Sequence, residues 1–440
     1  MAANVGPSVS LTGGVLRVSD RTANIHPTAY DPKVTRYAPL DTYPLTLLLD
    51  KLPKGRTFES RTFNWFEKPF NSLTGTINDV YTTNSFGTAV STAKNAGDTV
   101  YVNPDTAGYA KLRNMREYDN VEIYTDNGKK SVRGYVTAVH LGSVGSSYFS
   151  FVLDTNDTNS VLADTSLYWT ITGRGEEEVH ELGDAITEHE TQYTNYMQMM
   201  EEAHIISEAE LYELSRIEED LKKDKELDSL QRLNQRRELA FLEGTKRLIG
   251  DRYYTGGLRW WLNQYESGNL IDWTTDTTYS ASTDTVTNGL LPFLKRFLLP
   301  LRQWSKPGAR KILVCSQTVR GILDECVLNA GMYQIDYNTN KYGINVSTLR
   351  GLDQELDIVE EPLFNNNPAK KYTVYIIEPE LIARATTPYG ALKRIPWSGL
   401  DDAGDNYKTY IKGGWRVVEG YQFRRPGAHA IIENFGRDKS

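Results

Sequence analysis

The stretch with the clearest periodicity reads EAELYELSRIEEDLKKDKELDSLQRLNQRRELAFLEGTKR and covers residues 208–247. About half of its residues are charged, and no proline interrupts it. At about 1.5 Å per residue, it predicts one long amphipathic helix, or two end to end, up to about 60 Å long. The apolar residues that recur at mostly three- and four-residue steps in and just after it are Leu211, Leu214, Ile217, Leu221, Leu227, Leu230, Leu233, Phe241, Leu242 and Leu248.

A coiled coil is the alternative interpretation of this stretch. Its apolar stripe weakens across Lys222–Glu226, where charged residues occupy every position. A sustained zipper needs an unbroken heptad seam. The pattern therefore favours an amphipathic helix over a long sustained zipper.

Residues 1–56 are predicted to form an extended arm. Pro7, Pro27, Pro32, Pro39, Pro44 and Pro53 interrupt every regular period. Proline fixes φ and removes a hydrogen-bond donor, so such a segment does not fold on itself. It nevertheless carries apolar residues, including the run Leu47, Leu48 and Leu49. We expect these leucines to bury themselves on a neighbouring molecule.

Residues 57 to about 175 are predicted to be rich in β-structure. The segment Thr57–Trp65 alternates with the strand period of two. Further along, Asp126-Asn127-Gly128 is typical of a tight turn. The spacing predicts a small barrel or sandwich of at least five strands. These are Thr99–Val102, Val121–Tyr124, Val132–Val139, Ser147–Leu153 and Leu167–Thr172.

Residues 250–412 are predicted to form a mixed α/β region. Arg310–Cys315 has the composition of a buried strand, and Ser316 is placed to cap a helix over Val319–Leu328. Asp357–Val359 and Tyr372–Ile377 are predicted to be further strands. The segment from Trp415 to Phe435 is expected to contain two closing strands.

The composition excludes several classes of protein. The 440-residue chain has a net charge of −8, whereas proteins that coat nucleic acid electrostatically are basic. No stretch approaches the roughly 20 apolar residues of a membrane span, and the first residues do not resemble a secretory signal. The two cysteines, Cys315 and Cys326, exclude a disulfide scaffold, and their apolar neighbours predict buried thiols.

No catalytic, cofactor-binding or metal-binding motif stands out. There is no phosphate-binding loop and no His-Glu-x-x-His. The spacing of His180 and His189 matches no metal site, and the calcium-like start at Asp336 lacks the required Gly and Glu downstream. Acid pairs such as Glu360-Glu361 and Asp401-Asp402 are expected by chance in a chain with 57 acidic residues. We therefore predict no enzyme and no cofactor.

Four short segments carry a resemblance to a known family. Thr191–Gln198 is similar to the Asn-x-x-Gln segment before the spine helix of certain viral shell proteins, and Arg237–Gly244 is similar to the end of that helix. Gly256–Trp260 and Gly420–His429 are similar to the following turn and the final strand pair. The chain thus resembles the major capsid proteins of tailed bacteriophages with the Hong Kong 97-like fold, in particular those with a small β-domain in the extended loop.

The resemblance implies an α+β fold with five parts. Residues 1–56 would be the N-terminal arm, 57–185 the extended β loop with an inserted small β-barrel domain, and 186–255 the peripheral domain with its spine helix. Residues 256–412 would be the α/β axial domain, and 413–440 the C-terminal strands of the peripheral domain.

The resemblance also implies a function. The subunit would assemble with copies of itself into pentamers and hexamers of an icosahedral head that encloses double-stranded DNA without sequence-specific binding. Portal and scaffolding or decoration proteins would be partners, without any membrane. The protein would be made in the host cytoplasm and would reside in the virion.

Individual contacts between subunits are harder to predict. Arg56, Arg61 and Lys68 at the base of the loop are candidates to pair with acids on a neighbour's helix, although a solvated face is the alternative. The acidic candidates are Glu213, Glu218 and Glu219. Two other functions stay open, namely a tail tube or sheath subunit and an enzyme acting on polysaccharide.

Overall fold

The computed structural model describes residues 44–51, 54–68, 73–126, 128–174, 190–207, 221–306, 308–330, 334–341, 344–350, 355–398 and 410–439. The chain divides into two compact units. One comprises residues 1–65 and 193–440, and the other comprises residues 66–192. Most of the predicted arm, residues 1–43, lies outside the described residues, as do His180, His189, Asp401 and Asp402.

Six helices and 22 strands are formed in the described part of the chain. The helices are α1 Pro44–Lys51, α2 Thr106–Leu112, α3 Leu221–Glu243, α4 Leu258–Tyr265, α5 Val286–Arg302 and α6 Gln317–Ala330. The first eleven strands are β1 Lys54–Thr57, β2 Thr62–Glu67, β3 Thr74–Tyr81, β4 Thr99–Pro104, β5 Asp119–Thr125, β6 Ser131–His140, β7 Tyr148–Leu153, β8 Leu167–Arg174, β9 Thr191–Tyr196, β10 Gln198–Ser207 and β11 Arg247–Ile249. The others are β12 Arg252–Tyr254, β13 Leu270–Asp272, β14 Lys311–Cys315, β15 Gln334–Lys341, β16 Ile344–Arg350, β17 Leu356–Glu360, β18 Val374–Ile377, β19 Ile382–Thr386, β20 Lys393–Ser398, β21 Tyr410–Phe423 and β22 Ala430–Glu433.

The unit of residues 66–192 contains a closed antiparallel barrel. Its strands follow the order β3-β4-β7-β6-β5-β8, and β3 pairs with β8 to complete the circle. Alternate residues point inward, and Phe149, Phe151 and Trp169 are fully buried. A side chain at Gly75 would lie 2.4 Å from the Trp169 ring, so the indole requires glycine there. The predicted small barrel is confirmed, with β3 as a strand that the pattern did not indicate.

A seven-stranded mixed sheet forms part of the other unit. Its order is β13-β22-β18-β14-β17-β16-β15, and α5 and α6 contribute apolar side chains to the core on one face. The Ser316 hydroxyl accepts a hydrogen bond from the Val319 N–H at 3.3 Å, as expected for the predicted cap. Cys315 and Cys326 are buried, and burial raises the pKa of the Cys326 thiol to about 11. Both cysteines therefore act as small core residues, as predicted.

A second, five-stranded sheet in the same unit is built around the 14-residue strand β21. Strand β10 pairs with one side of β21, and β19 and β20 pair with the other. Helix α3 packs on one face through Leu233, which contacts Met200 and Val417. One further core cluster contains side chains from the seven-stranded and five-stranded sheets and from helices α1, α3 and α4.

Two predicted boundaries are wrong. Helix α3 ends at Glu243, before the predicted end at Arg247, which already belongs to strand β11. The predicted strand Thr57–Trp65 is split, since the Ser60 hydroxyl accepts from the Thr62 N–H at 3.2 Å in a bend between β1 and β2. The two closing strands do form, but β21 and β22 belong to different sheets.

The segment before the long helix also differs from expectation. Residues 198–207 form strand β10, which the sequence pattern did not indicate. The first third of the predicted helix, residues 208–220, lies outside the described residues. None of the described helices combines the length and the apolar character needed to cross a membrane.

Candidate assembly surface

The sheet around β21 has two different faces. Because β10 and β21 are antiparallel, residues directly opposite each other share a face, as Met200 and Val417 do under α3. On this inner face, the His204 ring is 2.8 Å from the Ser229 hydroxyl of α3 and packs against Trp397. Burial lowers the pKa of His204, so the ring stays neutral. The inner face is thus filled by the chain's own residues.

The opposite face of the same three strands is open, and we call it the outer face. It consists of the outward residues of β10, β21 and β20. Ala203 and Ile395 flank Gly414 on either side, which makes the centre of this face flat. The exposed apolar side chains are Met199 at 41%, Ile205 at 50%, Ile395 at 41% and Tyr410 at 36%. Such a group on one sheet face is typical of a contact surface.

Charged groups alternate with these apolar residues along the strands. The Arg416 Nε lies 3.3 Å from the Glu201 Oε1 across the β10–β21 pair. Lys393 and Lys412 add two exposed cations on the same strands. Protein interfaces commonly combine exposed apolar side chains with charged groups in this way. Strand β10 also forms one end of the sheet order, where backbone donors and acceptors are available for a neighbour.

A buried charge network holds this sheet to α3. Arg237 and Glu419 are almost completely buried and form a bidentate pair. The Arg237 Nε donates to Glu419 Oε1 at 2.8 Å, and the Arg237 Nη2 donates to Glu419 Oε2 at 3.1 Å. The Tyr421 hydroxyl donates to Glu419 Oε1 at 2.8 Å. Burial alone would lower the pKa of Arg237, but the charge of Glu419 raises it above its usual value. A fully paired network of this kind makes the sheet a rigid base for the outer face.

The predicted arm residues have a different role from the one expected. Pro44 begins helix α1, since proline is tolerated in the first turn, so the chain is not extended here. Leu48 and Leu49 are 1% and 0% exposed within the chain itself, in the core beneath α1. Their side chains therefore have no surface left for a neighbour, which corrects the expectation for these two leucines. Leu47 lies in the same helix, but its side chain is outside the described part.

The charged candidates are only partly described. Arg61 is half-buried, and its guanidinium lies 5.7 Å from the centroid of the Tyr253 ring. Lys68 is exposed. Arg56 lies in β1 with its side chain outside the described part, and Glu213, Glu218 and Glu219 lie wholly outside it. Pairing between these two groups stays a prediction.

The sequence interpretation missed all four apolar residues of the outer face. A signal was present, because QMMEEAHIIS places one Met and one Ile on each face of a strand. That pattern is typical of a strand that is buried on both faces. Among the described residues, no group of three or more His, Cys, Asp or Glu side chains could hold a metal ion.

These features define a structural protein of the capsid class, with a barrel set into a long excursion and a long helix behind an open sheet. The chain belongs to the SU10 major capsid protein family, whose model matches residues 18–436. It is a major capsid subunit that forms the phage head from copies of itself, and it is not an enzyme. The predicted α+β fold with a small closed barrel is confirmed, as is the capsid function, whereas the Hong Kong 97-like arrangement stays a prediction. The tail and polysaccharide alternatives are not favoured.

The solved structures that match this chain have low sequence identity to it. A structure from Mycobacterium phage Bobi matches with a TM-score of 0.43 and 7% identity, covering 93% of this chain and 96% of that one. The capsid of Myoviridae phage XM1 matches with a TM-score of 0.38 and 12% identity, over 59% and 80%. The holo-SrpI encapsulin complex from Synechococcus elongatus PCC 7942 gives 0.38 and 12%, over 56% and 78%. No curated protein matches this chain.

Proposed function

We propose that this capsid subunit binds neighbouring copies through the outer face of the β10–β21–β20 sheet. The observation that carries this proposal is the exposure of Met199, Ile205, Ile395 and Tyr410 on one continuous face. Contacts between rigid subunits that repeat around a ring and close give pentamers and hexamers, and joined rings give a closed shell. Several modest interfaces per subunit then sum to a stable particle.

The five-part division of the chain belongs to the same proposal. Residues 1–56 act as the arm and 57–185 as the extended loop with its barrel. Residues 186–255 and 413–440 form the peripheral domain, and 256–412 form the axial domain. Arg56, Arg61 and Lys68 at the loop base pair with Glu213, Glu218 and Glu219 of a neighbour. The buried positions of Leu48 and Leu49 support an arm that is anchored at its C-terminal end to its own subunit.

We further propose that the shell encloses double-stranded DNA and joins a portal, with scaffolding or decoration proteins as other partners. A net charge of −8 supports a wall that contains DNA without binding it tightly. The subunit is made in the host cytoplasm and ends in the virion.

Two adjacent isoleucines provide a sharp test of the outer face. Ile205 points outward and Ile206 is fully buried on the inner face. Ile205→Asp should leave the stability of the subunit within about 0.5 kcal/mol, because its side chain is already half in water. The same change should prevent particle formation, as seen by negative-stain electron microscopy.

Ile206→Asp is the matched control. It buries an unpaired charge, so the subunit itself should lose several kcal/mol of stability, on the order of 2–5. Thermal denaturation separates the two effects. Particles that form from Ile205→Asp at the wild-type yield would contradict the proposed surface.

A further inference from the structure

Strand β20 is held on the sheet only weakly by its own pairing. In the described part of the chain it pairs with β21 alone, and its register shifts between Ile395 and Ser398. Pro396 lies within this shift, and proline cannot donate a hydrogen bond to a neighbouring strand. The β21 partner of Ile395 is Gly414, which offers no side chain for packing across the pair. Another contact is therefore needed to fix the position of β20.

The register shift turns two side chains of β20 toward α3. Arg394 and Trp397 are three residues apart, so a regular strand would place them on opposite faces. Because the register shifts after Ile395, both side chains reach Glu226 of α3 on the inner face. The Trp397 ring also packs against the His204 ring there, with 4.3 Å between the ring centroids.

A single residue of α3, Glu226, receives contacts from two strands. The Arg394 Nη2 and the Trp397 Nε1 both donate to Glu226 Oε1, the indole at 2.5 Å. The Glu226 backbone carbonyl accepts from the Trp415 indole of β21 at 3.1 Å and from the Ser229 hydroxyl at 2.9 Å. The Glu226 side chain is only 16% exposed. Glu226 thus connects the helix to both β20 and β21.

The carboxylate of Glu226 is the part that holds β20. Burial alone would raise the pKa of Glu226, but the hydrogen bonds from Arg394 and Trp397 lower it below its usual value. The group is therefore ionised at neutral pH, and hydrogen bonds to an ionised acceptor are about twice as strong as neutral ones. Removal of the carboxylate would leave the half-buried Trp397 N–H without its acceptor, which is unfavourable.

We propose that Glu226 is a positioning residue for capsid assembly, because it holds β20 where Ile395 completes the outer face. This inference rests on the proposed function of that face. Gly414 lies between Ala203 of β10 and Ile395 of β20, so displacement of β20 would remove one side of the apolar surface. Strands β10 and β21 would stay together, since they pair along the whole of β10.

Glu202 provides a matched control for Glu226. It lies on β10, and its Oε1 is 2.6 Å from the Arg236 Nη1 of α3. It is thus a second glutamate that joins α3 to the same sheet. The strand that it holds is paired with β21 along its whole length, so loss of this contact should not move β20.

Hydrogen exchange of the full-length subunit measures how firmly β20 is held. In Glu226→Leu the β20 amides should exchange about tenfold faster or more, while the β10 amides keep their wild-type rates. Glu226→Gln retains an acceptor oxygen without the charge, so its β20 rates should lie between those of the wild type and Glu226→Leu. Glu202→Leu should leave the β20 rates unchanged.

Three exchange results would overturn the proposal. The first is unchanged β20 exchange in Glu226→Leu, and the second is equal acceleration of β20 in Glu202→Leu. The third is acceleration of β10 to the same extent as β20 in Glu226→Leu, because this would show a general loss of folding instead of a role in positioning β20.

Assembly followed by light scattering separates this inference from the proposed function. Ile395→Asp tests the outer face alone and should prevent particle formation. Glu226→Leu should slow assembly about tenfold or more, although its subunit is folded. Assembly of Ile395→Asp at the wild-type rate would contradict the outer face itself. A block in Ile395→Asp together with a wild-type rate in Glu226→Leu would refute only the role of Glu226.

Discussion

The barrel of β3–β8 has no strand edge without a neighbour, whereas the sheet around β21 has one at β10. Every barrel strand has a hydrogen-bonded neighbour on both sides, and its interior is filled by its own side chains. The β21 sheet ends at β10, and only its inner face is covered by α3. A closed barrel has no edge to protect. The open sheet retains an exposed face and an edge, which are the features that assembly uses.

The comparison indicates how one chain contains both a closed barrel core and a surface for binding other subunits. The barrel within residues 66–192 encloses a core cluster made of its own side chains. The sheet in the other unit is rigid because of Arg237 and Glu419, yet it presents Ile205 and Ile395 to solvent. A rigid surface with exposed apolar groups binds a partner at a small entropy cost.

The largest effect is expected in the barrel core. Trp169→Ala should destabilise the barrel by about 3–5 kcal/mol, because a fully buried indole leaves a cavity that the closed strands cannot fill. Tyr168→Ala is the control on the same strand, since Tyr168 is half-buried and stacks on Tyr124 outside the barrel. It should cost at most about 1 kcal/mol. Hydrogen exchange of the barrel amides in the full chain measures both, and unchanged exchange in Trp169→Ala would refute a self-sufficient core.

A smaller effect distinguishes two similar ion pairs. Glu122 and Arg133 face each other on the barrel at 3.4 Å, and Glu201 and Arg416 do so on the outer face at 3.3 Å. Glu122→Gln and Glu201→Gln should each change subunit stability by less than about 1 kcal/mol. Only Glu201→Gln should alter the rate and salt dependence of assembly, followed by light scattering. Equal assembly in both variants would argue against the outer face.

Local pattern was sufficient to predict much of the fold. Five barrel strands and the cap at Ser316 follow from alternation and from the chemistry of one hydroxyl. Strand β3 was missed because TGTINDVY has few apolar residues, and β10 because its Met and Ile residues fall on both faces and precede a helical pattern. Helix α1 was missed because its proline was interpreted as a breaker.

The candidate site could not be predicted in the same way. The outer face forms only when Ala203, Gly414 and Ile395, which are far apart in the sequence, become neighbours across β21. That arrangement leaves no local period in the sequence. The apolar run that the sequence did indicate for contact with a neighbour contains Leu48 and Leu49, which belong to the subunit's own core.

Oxidation of two adjacent methionines tests the central claim most directly. Met199 is 41% exposed on the outer face, and Met200 is 4% exposed on the inner face. Hydroxyl-radical footprinting with mass spectrometry should find Met199 oxidised and Met200 protected in the free subunit. In assembled particles Met199 should become as protected as Met200. Oxidation of Met199 at the same rate in particles and in free subunits would show that the outer face stays in solvent and would contradict the account.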